Sequence, residues 1–229
     1  MYLVLGALEG EIKVIRDHLQ NREKAPWGPF PVYTGLLEGK PLVLAAAGIG
    51  KSLSGIRTQG LIDRYPVEKV IFTGVAGALN PSYRPGDLVA ARDCLQHDLD
   101  AGPGFEPGEV PFTPYRVFPG DPALLDKART YRPPEGALRI GRILTGDRFI
   151  RREEEREALR RELKGDAVDM EGASAAQAAA INGLGFFLFR TISDRADEQA
   201  PQNYRSLLNR AAEQNFLFLK FLICSGEDE

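Results

Sequence analysis

The sequence predicts an α/β fold, with helices packed around one mixed sheet. Three observations carry that prediction. Short apolar runs alternate with helix-period segments from one end of the chain to the other. No linker, repeat or low-complexity stretch interrupts the alternation. Glycine or acidic residues close several apolar runs, notably at Gly74-Val75-Ala76-Gly77, Asp169-Met170-Glu171 and Ser193-Asp194, where an α/β protein turns from buried strand to open crevice.

The elements follow in order. Tyr2–Leu8 reads as a strand, and Glu9–Leu19 as a helix with Ile12, Val14, Ile15 and Leu19 on its apolar side. Val32–Leu37 and Pro41–Ala47 read as strands around a Glu38-Gly39-Lys40 turn. A helix over Lys51–Arg64 follows Gly50. Val70–Thr73 is a short strand, and Pro85-Gly86 introduces another over Asp87–Ala91. Ala101–Gly120 is rich in Gly and Pro and reads as a loop. Phe105, Phe112, Tyr115 and Phe118 favour a packed loop or a subunit contact over a solvated one. Arg142–Thr145 is a strand, Arg151–Leu163 a helix with a solvated charged face, and Glu171–Asn182 an alanine-rich helix closed at Asn182-Gly183. Phe186–Thr191 is a buried strand and Asn203–Ile223 a long final helix.

Composition narrows the function. At 229 residues the chain can bury a full core, and residues 1–229 are read as one domain. A net charge of −3 argues against a nucleic-acid partner, which calls for a basic face. Cys94 and Cys224 are too far apart to suggest a disulfide scaffold or a zinc site, so both read as reduced thiols. The apolar run Tyr2–Leu8 is too short for a signal peptide or membrane span and runs straight into Glu9 and Glu11. A cytoplasmic protein with no membrane partner is expected.

Four places can carry chemistry. Gly48-Ile49-Gly50-Lys51-Ser52 suggests a phosphate loop, but Ala45 stands where the first glycine belongs, inside the apolar run Leu42–Ala47. A tight turn before a helix is the simpler reading. Glu11 lies just past the first strand, where a carboxylate can act as general base or simply cap a helix start. Glu171 follows Met170 at another helix start. Two carboxylate oxygens there suit a vicinal diol, and a helix N-terminal glutamate is again the alternative. Ser193 and Asp194 fall just past the last strand. Asp194 there is either a turn residue or a proton donor steadied by Ser193.

The pairs Met170-Glu171 and Ser193-Asp194, with Gly6-Ala7-Leu8-Glu9-Gly10-Glu11 and Thr145-Gly146-Asp147-Arg148-Phe149-Ile150, resemble the signatures of the purine nucleoside phosphorylase/nucleosidase superfamily. The nearest branch is that of the methylthioadenosine/S-adenosylhomocysteine nucleosidases, and the futalosine hydrolases are near relatives. The resemblance runs from Tyr2 to about Phe221 and is weakest over Leu99–Pro134. It implies an α/β/α sandwich of three layers with a twisted, partly barrel-like central sheet, and a homodimer.

It also implies roles. Glu11 would orient and deprotonate an attacking water, Glu171 would hold the ribose 2′- and 3′-hydroxyls, and Met170 would pack under the sugar. Asp169, beside them, falls among the substrate-binding positions without a chemical role of its own. Phe149 would stack on the purine and the Ile150 backbone would bond its edge, against the plain alternative of a buried phenylalanine. Asp194, held by Ser193, would protonate the purine near N7. Ile49 would line the sugar pocket, as would the turn Val75, Ala76 and Gly77. Tyr204 stands where the nucleosidases place a phenylalanine near the 5′-substituent, which implies a more polar 5′ group.

The departures are informative. Phosphorylases of the superfamily hold phosphate with an arginine in the first loop and another before the second turn. This chain has no arginine in Gly6–Glu9, Phe72 before the turn, and Val75 in place of its hydroxyl residue. The expectation is therefore hydrolysis of a 5′-modified purine nucleoside by water, with no metal or organic cofactor. The alternatives are futalosine hydrolysis, phosphorolysis, and a non-catalytic nucleoside-binding protein.

Overall fold

The computed structural model describes residues 1–194 and 200–224, with the side chains of 200–207 left aside. Its elements are β1 (Tyr2–Gly6), α1 (Glu9–Asp17), β2 (Gln20–Trp27), β3 (Phe30–Leu37), β4 (Lys40–Ala46), α2 (Lys51–Ile62), β5 (Lys69–Phe72), β6 (Val75–Ala78), β7 (Leu88–Gln96), β8 (Val117–Pro119), α3 (Pro122–Thr130), β9 (Leu138–Thr145), α4 (Glu153–Leu163), β10 (Ala167–Asp169), α5 (Gly172–Ile181), β11 (Gly185–Asp194) and α6 (Ala200–Cys224).

The strands form one sheet in the order β2-β3-β4-β1-β5-β11-β6-β10-β9-β7-β8, and β11 also pairs with β7. That last pairing closes β11, β6, β10, β9 and β7 into a ring, while β2 to β5 form an open wing. The expected partly barrel-like sheet is this ring. The wing strands β4, β1 and β5 run parallel to one another and to β11.

Two helical layers cover the sheet. Successive side chains on a strand face opposite sides. Leu3, Leu5, Val70, Phe72, Phe186 and Leu188 therefore share a core with the alanines of α5, including Ala173 and Ala176. Val4, Ile71, Phe187 and Phe189 pack instead with Ile12 and Ile15 of α1, Leu124 of α3, and Phe218 and Leu222 of α6. Strands buried on both faces read as continuous apolar runs, which is why these were legible.

Four elements differ from expectation. β2 is a strand although all but its last residue is exposed; it is held by pairing with β3 and lacks any apolar alternation. β6 is built of Val75 and small residues where a turn was expected, and it is a strand because β11 and β10 flank it. β8 and α3 lie in or just beyond the Gly/Pro-rich stretch. Within that stretch Phe118 is buried and Tyr115 stacks on it at 6.0 Å, whereas Phe112 is 96% exposed. The packed-loop reading therefore holds for its C-terminal part only. Ser193 and Asp194 lie within β11 and not beyond it. No helix among the described residues is long and apolar enough to cross a membrane. Cys94 and Cys224 are both free.

Candidate active site

The ends of β1, β10 and β11, the β5–β6 junction, the turn before α2 and the loop after β9 meet around a cavity of about 780 Å³. Glu11, Ile49, Val75, Ala76, Gly77, Phe149, Ile150, Asp169, Met170, Glu171, Ser193 and Asp194 all line it. The side chain of Tyr204 lies outside the described residues. Ala7, Leu8, Arg148 and Val168 complete the wall. Phe149 is 48% exposed and Ile49 53%, so neither is a core residue, and both leave an apolar face open to the cavity.

Glu11 is at once a helix-start glutamate and part of the cavity wall. It lies in the first turn of α1, and its Oε2 accepts from the Leu8 N–H at 3.0 Å, as a helix-start glutamate does. Its Oε1 accepts from the Val75 N–H at 3.0 Å, across the cavity floor. Burial pushes its pKa up, against the pull of Arg190 and of the Leu8 and Val75 N–H groups.

Glu171 caps α5, and its Oε1 accepts from the Gly50 N–H at 3.0 Å. That contact accounts for the glycine turn. Gly48 and Gly50 have φ of +84° and +91°, which brings the Gly50 N–H onto a carboxylate. Lys51 donates to Asp98 at 2.6 Å and to Gln96 at 3.1 Å. With its lysine and a backbone donor committed to protein oxygens, this turn is not a phosphate loop.

Burial pushes the Glu171 carboxyl up to about 8, with Arg190 and the Gly50 N–H opposing and Asp169 and Glu11 adding to the rise. The native state thus keeps a proton that the unfolded chain loses near 4.5. The stability this contributes is complete below 4.5 and is lost as pH rises through about 8. Glu171→Gln, with no proton to lose, should match the native melting temperature near about pH 5 and exceed it by several degrees near about pH 9. Thermal melts across that range check this; parallel curves for the two proteins would rule it out.

Ser193 and Asp194 owe their joint placement to a bulge. β11 pairs Ile192 with Ala76 and Asp194 with Gly77, so Ser193 is an extra residue on the strand. In a regular strand the two side chains would face opposite sides; the bulge lets both line the cavity. The Ser193 hydroxyl donates to Asp194 Oδ2 at 2.5 Å, with the Ala76 carbonyl a weaker acceptor at 3.3 Å.

One residue at the site had no role in the sequence reading. Arg190 is fully buried under the cavity floor. It donates to Asp169 Oδ2 through Nε at 3.0 Å and Nη2 at 2.6 Å, and to the Thr73 carbonyl through Nη1 at 2.5 Å. Its Nη2 stands 3.6 Å from Glu171 Oε2, and its guanidinium lies 4.5 Å over the Phe72 ring. Asp169 spends its remaining capacity on the Thr145 hydroxyl at 2.5 Å and the Gly172 N–H. The signal was available: an arginine inside the apolar run Phe186–Ile192 must find a buried partner. An arginine therefore does stand by Phe72, but its donors are committed to the protein.

The chain belongs to the phosphorylase superfamily, whose family model matches residues 2–223. It is 33% identical over 216 residues to the 5′-methylthioadenosine/S-adenosylhomocysteine nucleosidase of Tolumonas auensis, covering 93% of this chain and 94% of that protein. The nucleosidase of that name from Neisseria meningitidis, solved in complex with methylthio-immucillin-A, superposes with a TM-score of 0.92 at 33% identity, over 98% of this chain and 99% of that one. A futalosine hydrolase mutant of Helicobacter pylori superposes with a TM-score of 0.90 at 30% identity, over 97% of each chain.

Proposed function

We propose that this protein is a purine nucleoside N-ribohydrolase that cleaves 5′-modified nucleosides, methylthioadenosine and S-adenosylhomocysteine, with water. The observation that carries the proposal is the gathering of Glu11, Glu171 and Asp194, from three distant parts of the chain, around one cavity with an open aromatic wall. The relatives' names point the same way.

In this reading Glu171 accepts the ribose hydroxyls and Met170 packs beneath the ring. Phe149 stacks on the purine, the Ile150 backbone bonds its edge, and Ile49, Val75, Ala76 and Gly77 line the pocket. Asp169 acts through Arg190 and the start of α5. Asp194, one oxygen held by Ser193, passes a proton toward N7 as the C1′–N9 bond stretches and charge builds on the base. Glu11 takes a proton from the water that attacks the oxocarbenium-like sugar. A high proton affinity suits a base that must take that proton at neutral pH. Phosphate would find Arg190 already donating to Asp169 and to the Thr73 carbonyl.

The chain acts in this reading as one domain and as a cytoplasmic homodimer. Ile49 in the turn before α2, and Leu53 and Ile56 on α2, are exposed apolar side chains beside the cavity mouth, a face suited to a second copy. A second reading, futalosine hydrolysis with hypoxanthine as leaving base, is favoured by Val75 and by the Helicobacter pylori neighbour.

Base release from methylthioadenosine, S-adenosylhomocysteine, futalosine and inosine, with and without phosphate, tests both. Adenine from the first two without phosphate is expected. Hypoxanthine from futalosine alone would select the second reading, and a strict phosphate requirement would overturn both. Light scattering on the same sample should give the mass of two chains.

A further inference from the structure

We infer that Asn215, on the C-terminal helix, is a positioning residue that clamps the Gly74–Val75 peptide so that its N–H meets the Glu11 carboxylate. Asn215 is 1% exposed and 141 positions from Gly74 in sequence. Its Nδ2 donates to the Gly74 carbonyl at 2.8 Å, and its Oδ1 accepts from the Thr191 hydroxyl at 2.8 Å. The amide can be oriented only one way, because a carbonyl cannot donate and must face the NH₂ group. The Thr191 N–H gives the Gly74 carbonyl its second bond, at 2.9 Å.

A trans peptide points its C=O and N–H in opposite directions. Fixing the Gly74 oxygen on the α6 side therefore aims the Val75 N–H at Glu11 Oε1 on the other. The clamp answers a problem the site creates. Gly74 must be glycine: its φ is +145°, and an added Cβ would collide with Arg190 Nη1 and Glu11 Oε1. A glycine peptide swings freely, and one strand N–H leaves it an axis to swing about. The Asn215 amide removes that freedom, and a carbonyl that accepts two bonds also polarises its own N–H. Glu11 is thus held by a donor that is aimed by Asn215 of α6, a residue outside the cavity wall.

The inference rests on Glu11 acting as base in the hydrolysis proposed above. An N–H bond favours the charged carboxylate, so a loosened donor raises the pH at which Glu11 loses its proton. Among the described residues Arg190 faces Glu11 directly, Glu171 and Asp169 lie on that same guanidinium, and Asp194 lines the same cavity. None of these is altered by a change at Asn215 or Thr191.

The test is the pH profile of base release from methylthioadenosine, or from futalosine if the native enzyme cleaves that alone. Asn215→Leu removes the clamp. Thr191→Val keeps volume and strand propensity but frees the amide, and Thr191→Ser restores the hydroxyl. The first two should move the acid limb of kcat/KM up by about half to one pH unit, with KM nearly constant. Thr191→Ser should follow the native profile. If Asn215→Leu does not fold, Thr191→Val decides alone. An unmoved limb in the folded variants, or Thr191→Ser as impaired as Thr191→Val, would overturn the inference. Full activity of Glu11→Gln, or a native enzyme that releases no base, would instead sink the hydrolytic reading beneath it.

Discussion

Asp194→Asn lowers base release by about 10²–10⁴-fold while the fold survives. Asparagine has the volume of aspartate, and its carbonyl oxygen can accept the Ser193 hydroxyl bond that now measures 2.5 Å. What it cannot do is surrender an acidic proton as the base departs. Binding should therefore change little, and the loss should fall on kcat. Single-turnover release with saturating substrate, alongside a thermal melt, separates the two effects. A variant within about tenfold of native turnover would place the proton donor elsewhere. A raised KM with native kcat would make Asp194 a binding group only.

Arg190→Met has its largest effect on stability. Among the described residues this guanidinium is the cation on Asp169, Glu11 and Glu171, and burial leaves water little access to replace it. Methionine roughly fills the stem's space and keeps contact with Phe72. The carboxylate of Asp169 would lose two charge-assisted bonds, and its neighbours would lose the charge that draws their pKa down. Removing one partner of a buried ion pair costs about 3–5 kcal/mol. Denaturant titration near neutral pH checks this, and a loss below about 1 kcal/mol would show that the acids simply take up protons and tolerate the change. The deficit should shrink toward acid pH, where the carboxyls are already neutral.

How far the sequence could be read follows the physics of each element. The buried strands announced themselves as apolar runs, and the carboxylates that end them stood out against that background. Glu11, Glu171 and Asp194 stood out this way, the family resemblance supplied their roles, and they share one cavity. β2 could not be read, because a solvated edge strand takes its conformation from its partner and not from its own pattern. The Ser193 bulge could not be read either. An extra residue on one strand is defined only by its register against β6, and sequence gives no register. Arg190 could have been found, since a charge in an apolar run demands a partner, but the partner's identity needed the sheet order. Asn215 had no local signature at all. Its meaning lies in a carbonyl 141 positions away.

The ring and the wing share a single strand. β11 pairs with β5 in the wing and with β6 and β7 in the ring, and it carries Arg190, Thr191, Ser193 and Asp194. A strand bonded on both edges, at the seam of two sheets, cannot loosen without parting both. Arg190 and Thr191 thus have no private opening, whereas Ser193 and Asp194, past the last β7 pair, are held on the β6 edge alone. The facing wall of the cavity differs, because Phe149 rides on a loop and Ile49 on a turn. Breathing at the site therefore falls first on the loop and turn that carry Phe149 and Ile49, and last on the doubly bonded stretch of β11.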